Sequence, residues 1–100
     1  MNMQALMKQA QNMQRDINNI KNELDNTVFE GKSSLVSVEV MGDKKIKSVK
    51  ISEEAKDLIK DDISMLEDMI LVALNDAFSK VDKETEEKMG KYSNMMPGLM

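Results

Sequence analysis

Apolar residues recur along residues 2–25 in alternating steps of three and four: Met3, Leu6, Ala10, Met13, Ile17, Ile20 and Leu24. This is the stripe of a helix that meets another helix. The stretch holds neither Gly nor Pro, and at about 1.5 Å per residue it is roughly 36 Å long. Asp25-Asn26 are suited to ending it. From residue 27 the period falls to two. Thr27-Val28-Phe29-Glu30-Gly31 reads as a short strand, and Val36, Val38 and Val40 alternate with Ser37, Glu39 and Met41 in a half-buried second strand. Gly42-Asp43-Lys44 is a turn signal. Residues 45–51 form a third strand, with Val49 and Ile51 on one face and Lys50 on the other; Ile46 breaks the alternation, so a bulge is expected near it. Ser52-Glu53-Glu54 predicts the cap and acidic first turn of a short helix over 53–60.

A longer helix is expected over 62–89. Its stripe is Ile63, Leu66, Ile70, Ala73 or Leu74, Ala77 and Val81, widened by Leu71 and Phe78, and Gly90 punctuates it. The fold class is therefore α+β: helix, three-stranded antiparallel meander, short helix and long C-terminal helix. One domain is expected over 1–91, followed by a flexible Met-rich tail over 92–100. The long helix would measure roughly 42 Å, whereas a compact domain of 100 residues has a radius of gyration near ~13 Å. A three-stranded sheet cannot cover both long helices, so a tweezer-like homodimer with projecting helical arms is expected.

Composition then narrows the chemistry. The chain has no Cys, His or Trp, which removes the usual zinc, iron–sulfur and haem ligands, thiol nucleophiles and His-based acid–base catalysis. Carboxylate-only Mg²⁺ or Ca²⁺ sites stay open. No Gly-rich phosphate loop occurs. Asp61-Asp62 fits negative charge at a helix N-terminus, Glu67-Asp68 a polar helix face, and Ser33-Ser34 has no partner base. No enzyme and no cofactor are expected. Neither a signal peptide nor an apolar run of ~20 residues is present, and a cytoplasmic location without membrane attachment is expected. Of the eleven methionines, Met3, Met13, Met65 and Met69 read as adaptable core filler; Met95, Met96 and Met100 read as tail.

The net charge of −4 argues against nucleic acid only until the charges are placed. Residues 1–30 carry a net −1, residues 31–52 a net +3 and residues 53–100 a net −6. The outward positions of the first helix (Gln4, Ala5, Lys8, Gln11, Asn12, Arg15, Asn18, Asn19, Asn22) contain no acid. Amides and cations of this kind suit phosphate and base edges. Lys44, Lys45, Lys47 and Lys50 form a second basic cluster. The residues alone leave open a solvated helix face and a solubilising sheet edge.

The order and spacing of several segments carry a resemblance. Met7-Lys8-Gln9-Ala10-Gln11 with Met13-Gln14, Glu30-Gly31, Val36 and Val38 with Gly42, Val49-Lys50-Ile51, Met65-Leu66-Glu67-Asp68-Met69-Ile70, Ala73 with Asn75-Asp76-Ala77, Lys88-Met89-Gly90-Lys91 and Pro97-Gly98 are similar to the YbaB/EbfC family of bacterial nucleoid-associated proteins. The resemblance implies an α-β-α homodimer, double-stranded DNA as partner with little sequence readout, and a role in nucleoid organisation or gene regulation. The loop Lys32-Ser33-Ser34 departs from the glycine-rich one common in the family, and Arg15 is the one arginine. Lys8, Arg15, Lys21, Lys44, Lys45, Lys47, Lys50, Lys88 and Lys91 are the candidate DNA contacts. The rival reading is a dimeric protein-interaction or chaperone-like clamp, favoured by the acidic C-terminal half and the methionines.

Overall fold

Helix α1 (Met3–Asp25) opens on Asn2, whose side chain accepts from the Gln4 amide at 3.0 Å. It closes where the Asn26 amide and side chain both donate to the Asn22 carbonyl. These bonds satisfy end groups that a helix leaves without internal partners. The computed structural model describes residues 2–93, with side chains through Gly90. The expected tail methionines Met95, Met96 and Met100 and the rest of 94–100 lie outside the described residues.

Strands β1 (Val28–Ser33), β2 (Val36–Met41) and β3 (Ile46–Ile51) form an antiparallel meander in the order β1-β2-β3. β1 runs two residues past its expected end, because Lys32 and Ser33 pair with Ser37 and Val36. Ser34, at φ 43°, completes the turn between them. In β2 the expected alternation holds: Val36, Val38 and Val40 are buried, with Ser37, Glu39 and Met41 only half-buried. The pairing shifts between Glu39, opposite Ser48, and Val40, opposite Ile46. Lys47 is the extra residue, so the bulge falls where the broken alternation places it.

Helix α2 (Ala55–Ile59) is shorter than the expected 53–60. Ser52 accepts from the Glu54 amide through its hydroxyl at 3.3 Å and from the Ala55 amide through its carbonyl at 3.0 Å. It builds a turn ahead of the helix and does not cap it. Helix α3 (Ile63–Ser93) begins after Asp62, which accepts from the Ser64 amide and hydroxyl. The Ser64 hydroxyl, and then amide donors of this first turn, hold the Asp62 carboxyl below the ordinary carboxylate range. Its far end differs from expectation: α3 passes through Gly90 to Ser93, and Tyr92 and Ser93 belong to the helix. One interior glycine costs a helix about 1 kcal/mol, and α3 continues with Met89 seated against Ile17 and Leu24.

The deepest row of α3 is Met69, Ala73, Ala77, Val81, then Met89: Ala73, Ala77 and Val81 are buried as expected, and Met69 goes deeper than Ile70. Gly31 lies beneath this row. A Cβ there would meet the Ala73 carbonyl and lie 2.6 Å from the Ala77 nitrogen. The helix approaches the sheet through two small alanines over a residue without a side chain, and Ile70 and Leu74 are left half-buried beside them. Ile63 and Met65, expected in the stripe or the core, are exposed.

Coverage stops short of both expected apolar seams. On α1, Ile17 and Leu24 are buried and Met13 and Ile20 partly so, whereas Met3 is 72% and Met7 59% exposed. On β3, Val49 and Ile51 share the inner face of Val38 and Val36 by register, yet remain 44% and 45% exposed. The molecule measures 71 × 20 × 14 Å with a radius of gyration of 19.5 Å, far above the ~13 Å of a compact chain this long. The first half of α1 is an arm.

Candidate nucleic-acid interface

The arm carries Lys8 and Arg15, one heptad apart and on the side away from Ile17 and Leu24. The Arg15 guanidinium donates to the Asn12 side chain one turn earlier, and Gln14 donates to Asn18 at 3.2 Å. Lys8 and Arg15 take part in no ion pair among the described residues, nor do Lys47 in the bulge and Lys50 on the outer sheet face. All four are exposed. A lysine of this kind offers a mobile point charge to a phosphate, without the fork that reads a base edge.

Four other expected contacts are already engaged with acids. Lys44, at φ 70° in the β2–β3 turn, pairs with Asp82 of α3 at 3.0 Å. Lys45 pairs with Asp43 at 3.8 Å, Lys21 with Asp25 at 3.7 Å and Lys88 with Glu84 at 3.6 Å. Lys21 and Lys44 line an open cleft of about 890 Å³ between α1, the turn and α3, together with Asp25, Asp43, Asp82 and Glu86. Four carboxylates repel a polyanion there, so this cleft is a poor seat for phosphate. Eight of the nine expected cations thus separate into an unpaired set and an acid-paired set, four in each. The Lys91 side chain lies outside the described residues.

No buried polar or charged side chain occurs among the described residues, nor does any group of three or more carboxylates arranged to hold a metal ion. No helix among them is long and apolar enough to cross a membrane.

The unequal treatment of the two sheet edges is a feature the residue pattern alone did not disclose. An open edge offers unpaired amides and carbonyls to another strand. On β1 two of these groups are taken: the Lys32 amide donates to the Asp76 carboxylate at 3.1 Å, and Lys80 donates to the Glu30 carbonyl at 2.7 Å. Lys80 also pairs with Asp76 at 3.4 Å. The spacing of Asp76 and Lys80 signals an ordinary helix-surface pair; their reach across to β1 is visible only in three dimensions. Among the described residues β3 has no such cover, and Ile46, Val49 and Ile51 stand beside it exposed.

The Lys32 amide, and then the Lys80 ammonium, hold the Asp76 carboxyl below its ordinary value. A carboxyl depressed in the folded state stabilises that state above its unfolded value, about 3.9, and the contribution fades as pH falls through the folded value. The parent should therefore exceed Asp76→Asn in urea midpoint near neutral pH, and the gap should close below about pH 4. Equal midpoints at both pH values would show that the Asp76 charge does not support the edge.

The sequence model of the YbaB/EbfC DNA-binding family matches residues 1–96. The chain belongs to this family. A nucleoid-associated protein of Ligilactobacillus salivarius is 50% identical over 101 residues, covering 99% of this chain and 95% of the relative. One of Lactococcus lactis subsp. cremoris is 43% identical over 99 residues, covering 97% and 98%. A crystal structure of an uncharacterized Helicobacter pylori protein has the same fold, with a TM-score of 0.68 and 21% identity over 95% of this chain and 97% of that one. Membership in the YbaB/EbfC family places the chain among DNA-binding proteins and outside the enzymes.

Proposed function

We propose that this YbaB/EbfC chain works as a homodimer that binds the backbone of double-stranded DNA with paired arms, in the nucleoid. The observation that carries this reading is the arm: the outward row of α1 stands clear of the body, bears Lys8 and Arg15 without ion-pair partners among the described residues, and contains no acid. Lys47 and Lys50 add unpaired charge on β3. The names of the nucleoid-associated relatives support the location and the partner.

Dimerisation follows from the edges. Asp76 and Lys80 occupy β1, so strand addition has β3 available. Leu71, Leu74 and Phe78 follow the side of α3 on which Asp82 reaches the β2–β3 turn, at helical spacings of three and four. They extend the apolar surface of Ile46, Val49 and Ile51 toward a second copy. Pairing doubles the unpaired cations and opposes two identical arms, as two-fold symmetry requires.

With one arginine and a net charge of −4, attraction runs mainly through lysine to phosphate, with little base readout and strong salt sensitivity. Binding by paired arms would affect DNA conformation and, through it, nucleoid organisation or gene regulation. The test is an electrophoretic shift of duplex DNA through a salt series, with the mass of the free protein measured alongside. The expected result is a dimer whose binding constant falls linearly with salt on logarithmic axes. A monomer without affinity for duplex, or defined protein partners retained after nuclease treatment, would favour the protein clamp.

A further inference from the structure

The edge of β1 is closed by a contact that copies a neighbouring strand. Glu30, Gly31 and Lys32 are consecutive in β1. Ala73 and Ala77 seat on Gly31, where a Cβ would lie 2.6 Å from the Ala77 nitrogen. That seat brings two further residues of α3 to the edge: Asp76 accepts from the Lys32 amide at 3.1 Å, and Lys80 donates to the Glu30 carbonyl at 2.7 Å. A residue of an added parallel strand makes the same pair of bonds, donating to residue i and accepting from residue i+2. Asp76 and Lys80 stand one helical turn apart and pair with each other at 3.4 Å, so the clip is braced from within.

The charges beside the clip suit a second copy of β1. Val28, Glu30 and Lys32 share one face of the strand and are exposed. A second β1 laid antiparallel against the first, with the two-fold axis at Gly31, sets Glu30 of each copy opposite Lys32 of the other. Opposite charges facing across an antiparallel pair are favourable. Such pairing also uses the Glu30 carbonyl and the Lys32 amide, the two groups that Lys80 and Asp76 now hold.

We infer that Asp76 and Lys80 act as a stopper on β1, and that without it β1 pairs with β1 of a second copy. When two chains are joined through β3, a β1 edge lies at each end of the shared sheet. Open edges there would let dimers add to dimers in a chain, and the stopper holds the assembly at two copies. Only this chain growth rests on the β3 reading; the closure of β1 does not.

The test is sedimentation of Asp76→Ala/Lys80→Ala against the parent, without DNA, up to about 100 µM. Both side chains are largely exposed, so circular dichroism of the variant should match the parent. The expected result is an average mass at the highest concentration about twofold or more above the parent's, as pairing of the freed edges requires. Adding Lys32→Pro should return the mass to the parent's. It removes the amide that points outward to Asp76 and spares the ladder to β2. Should the double variant lose helix, Lys80→Ala alone frees the Glu30 carbonyl and is judged by the same comparison. A variant with the parent's mass at every concentration would overturn the inference. So would extra mass that Lys32→Pro leaves in place. In the Val49→Asp background the same two substitutions should turn a monomer into a dimer. A Val49→Asp protein that is dimeric without them contradicts the pairing through β3, and the comparison with and without the stopper still decides β1.

Discussion

Gly31→Val should lower the stability of the protein by about 3 kcal/mol or more, the upper range of core overpacking. A Cβ at this position meets the Ala73 carbonyl and lies 2.6 Å from the Ala77 nitrogen and 2.7 Å from the Ala77 Cβ. Two of these obstacles are backbone, so no rotamer change relieves them. Relief requires α3 to lift from the sheet, which opens the core of Val36, Val38, Val40, Ala73, Ala77 and Val81. For a domain of this size the loss corresponds to a fall in Tm of about 12–24 °C. Thermal unfolding followed by circular dichroism checks it. A variant within about 1 kcal/mol of the parent would mean that α3 does not seat on Gly31 as described.

The second large effect is expected at the β3 edge. Val49 is opposite Val38 but 44% exposed, so Val49→Asp should cost the isolated chain little. In a dimer formed through β3 the same carboxylate enters an apolar contact twice, once from each copy. An uncompensated buried charge costs several kcal/mol. The expected result is a folded protein of half the parent mass, with affinity for duplex DNA reduced by tenfold or more (~1.4 kcal/mol), since one chain presents half the cations. Analytical ultracentrifugation and a DNA titration read both. A Val49→Asp protein that remains dimeric at micromolar concentration would move the interface away from β3.

Much of this architecture was legible in the order of residues. The step of three and four from Met3 to Leu24 specified α1, the alternation of Val36, Val38 and Val40 specified β2, and the irregularity at Ile46 marked the bulge. What stayed hidden depended on contacts between distant segments. Ala77 and Val81 were legible in the stripe, but the choice of Ala73 over Leu74 and of Met69 over Ile70 depends on Gly31 lying beneath Ala73 and Ala77. Val49 and Ile51 alternate like a buried strand, but their exposure depends on where the axis of α3 crosses the sheet. The basic cluster was visible as a charge run. The pairing of Lys21 with Asp25 and of Lys88 with Glu84 follows from helical spacing, whereas Lys44 meets Asp82 only because the β2–β3 turn folds against α3. That fold-dependent pairing moves the weight of the site from the turn to the arm.

The arm is therefore the place to test. Each lysine or arginine that touches a phosphate contributes about −0.9 to the slope of log K against log salt. Lys8 and Arg15 on two arms make four such contacts in a dimer. The measurement is the salt dependence of duplex binding for the parent and for Lys8→Ala/Arg15→Ala. The account predicts weaker binding by the variant at low salt and a slope shallower by up to about 3.6. Equal affinity and an unchanged slope would contradict it, and would take the DNA contact off the arm.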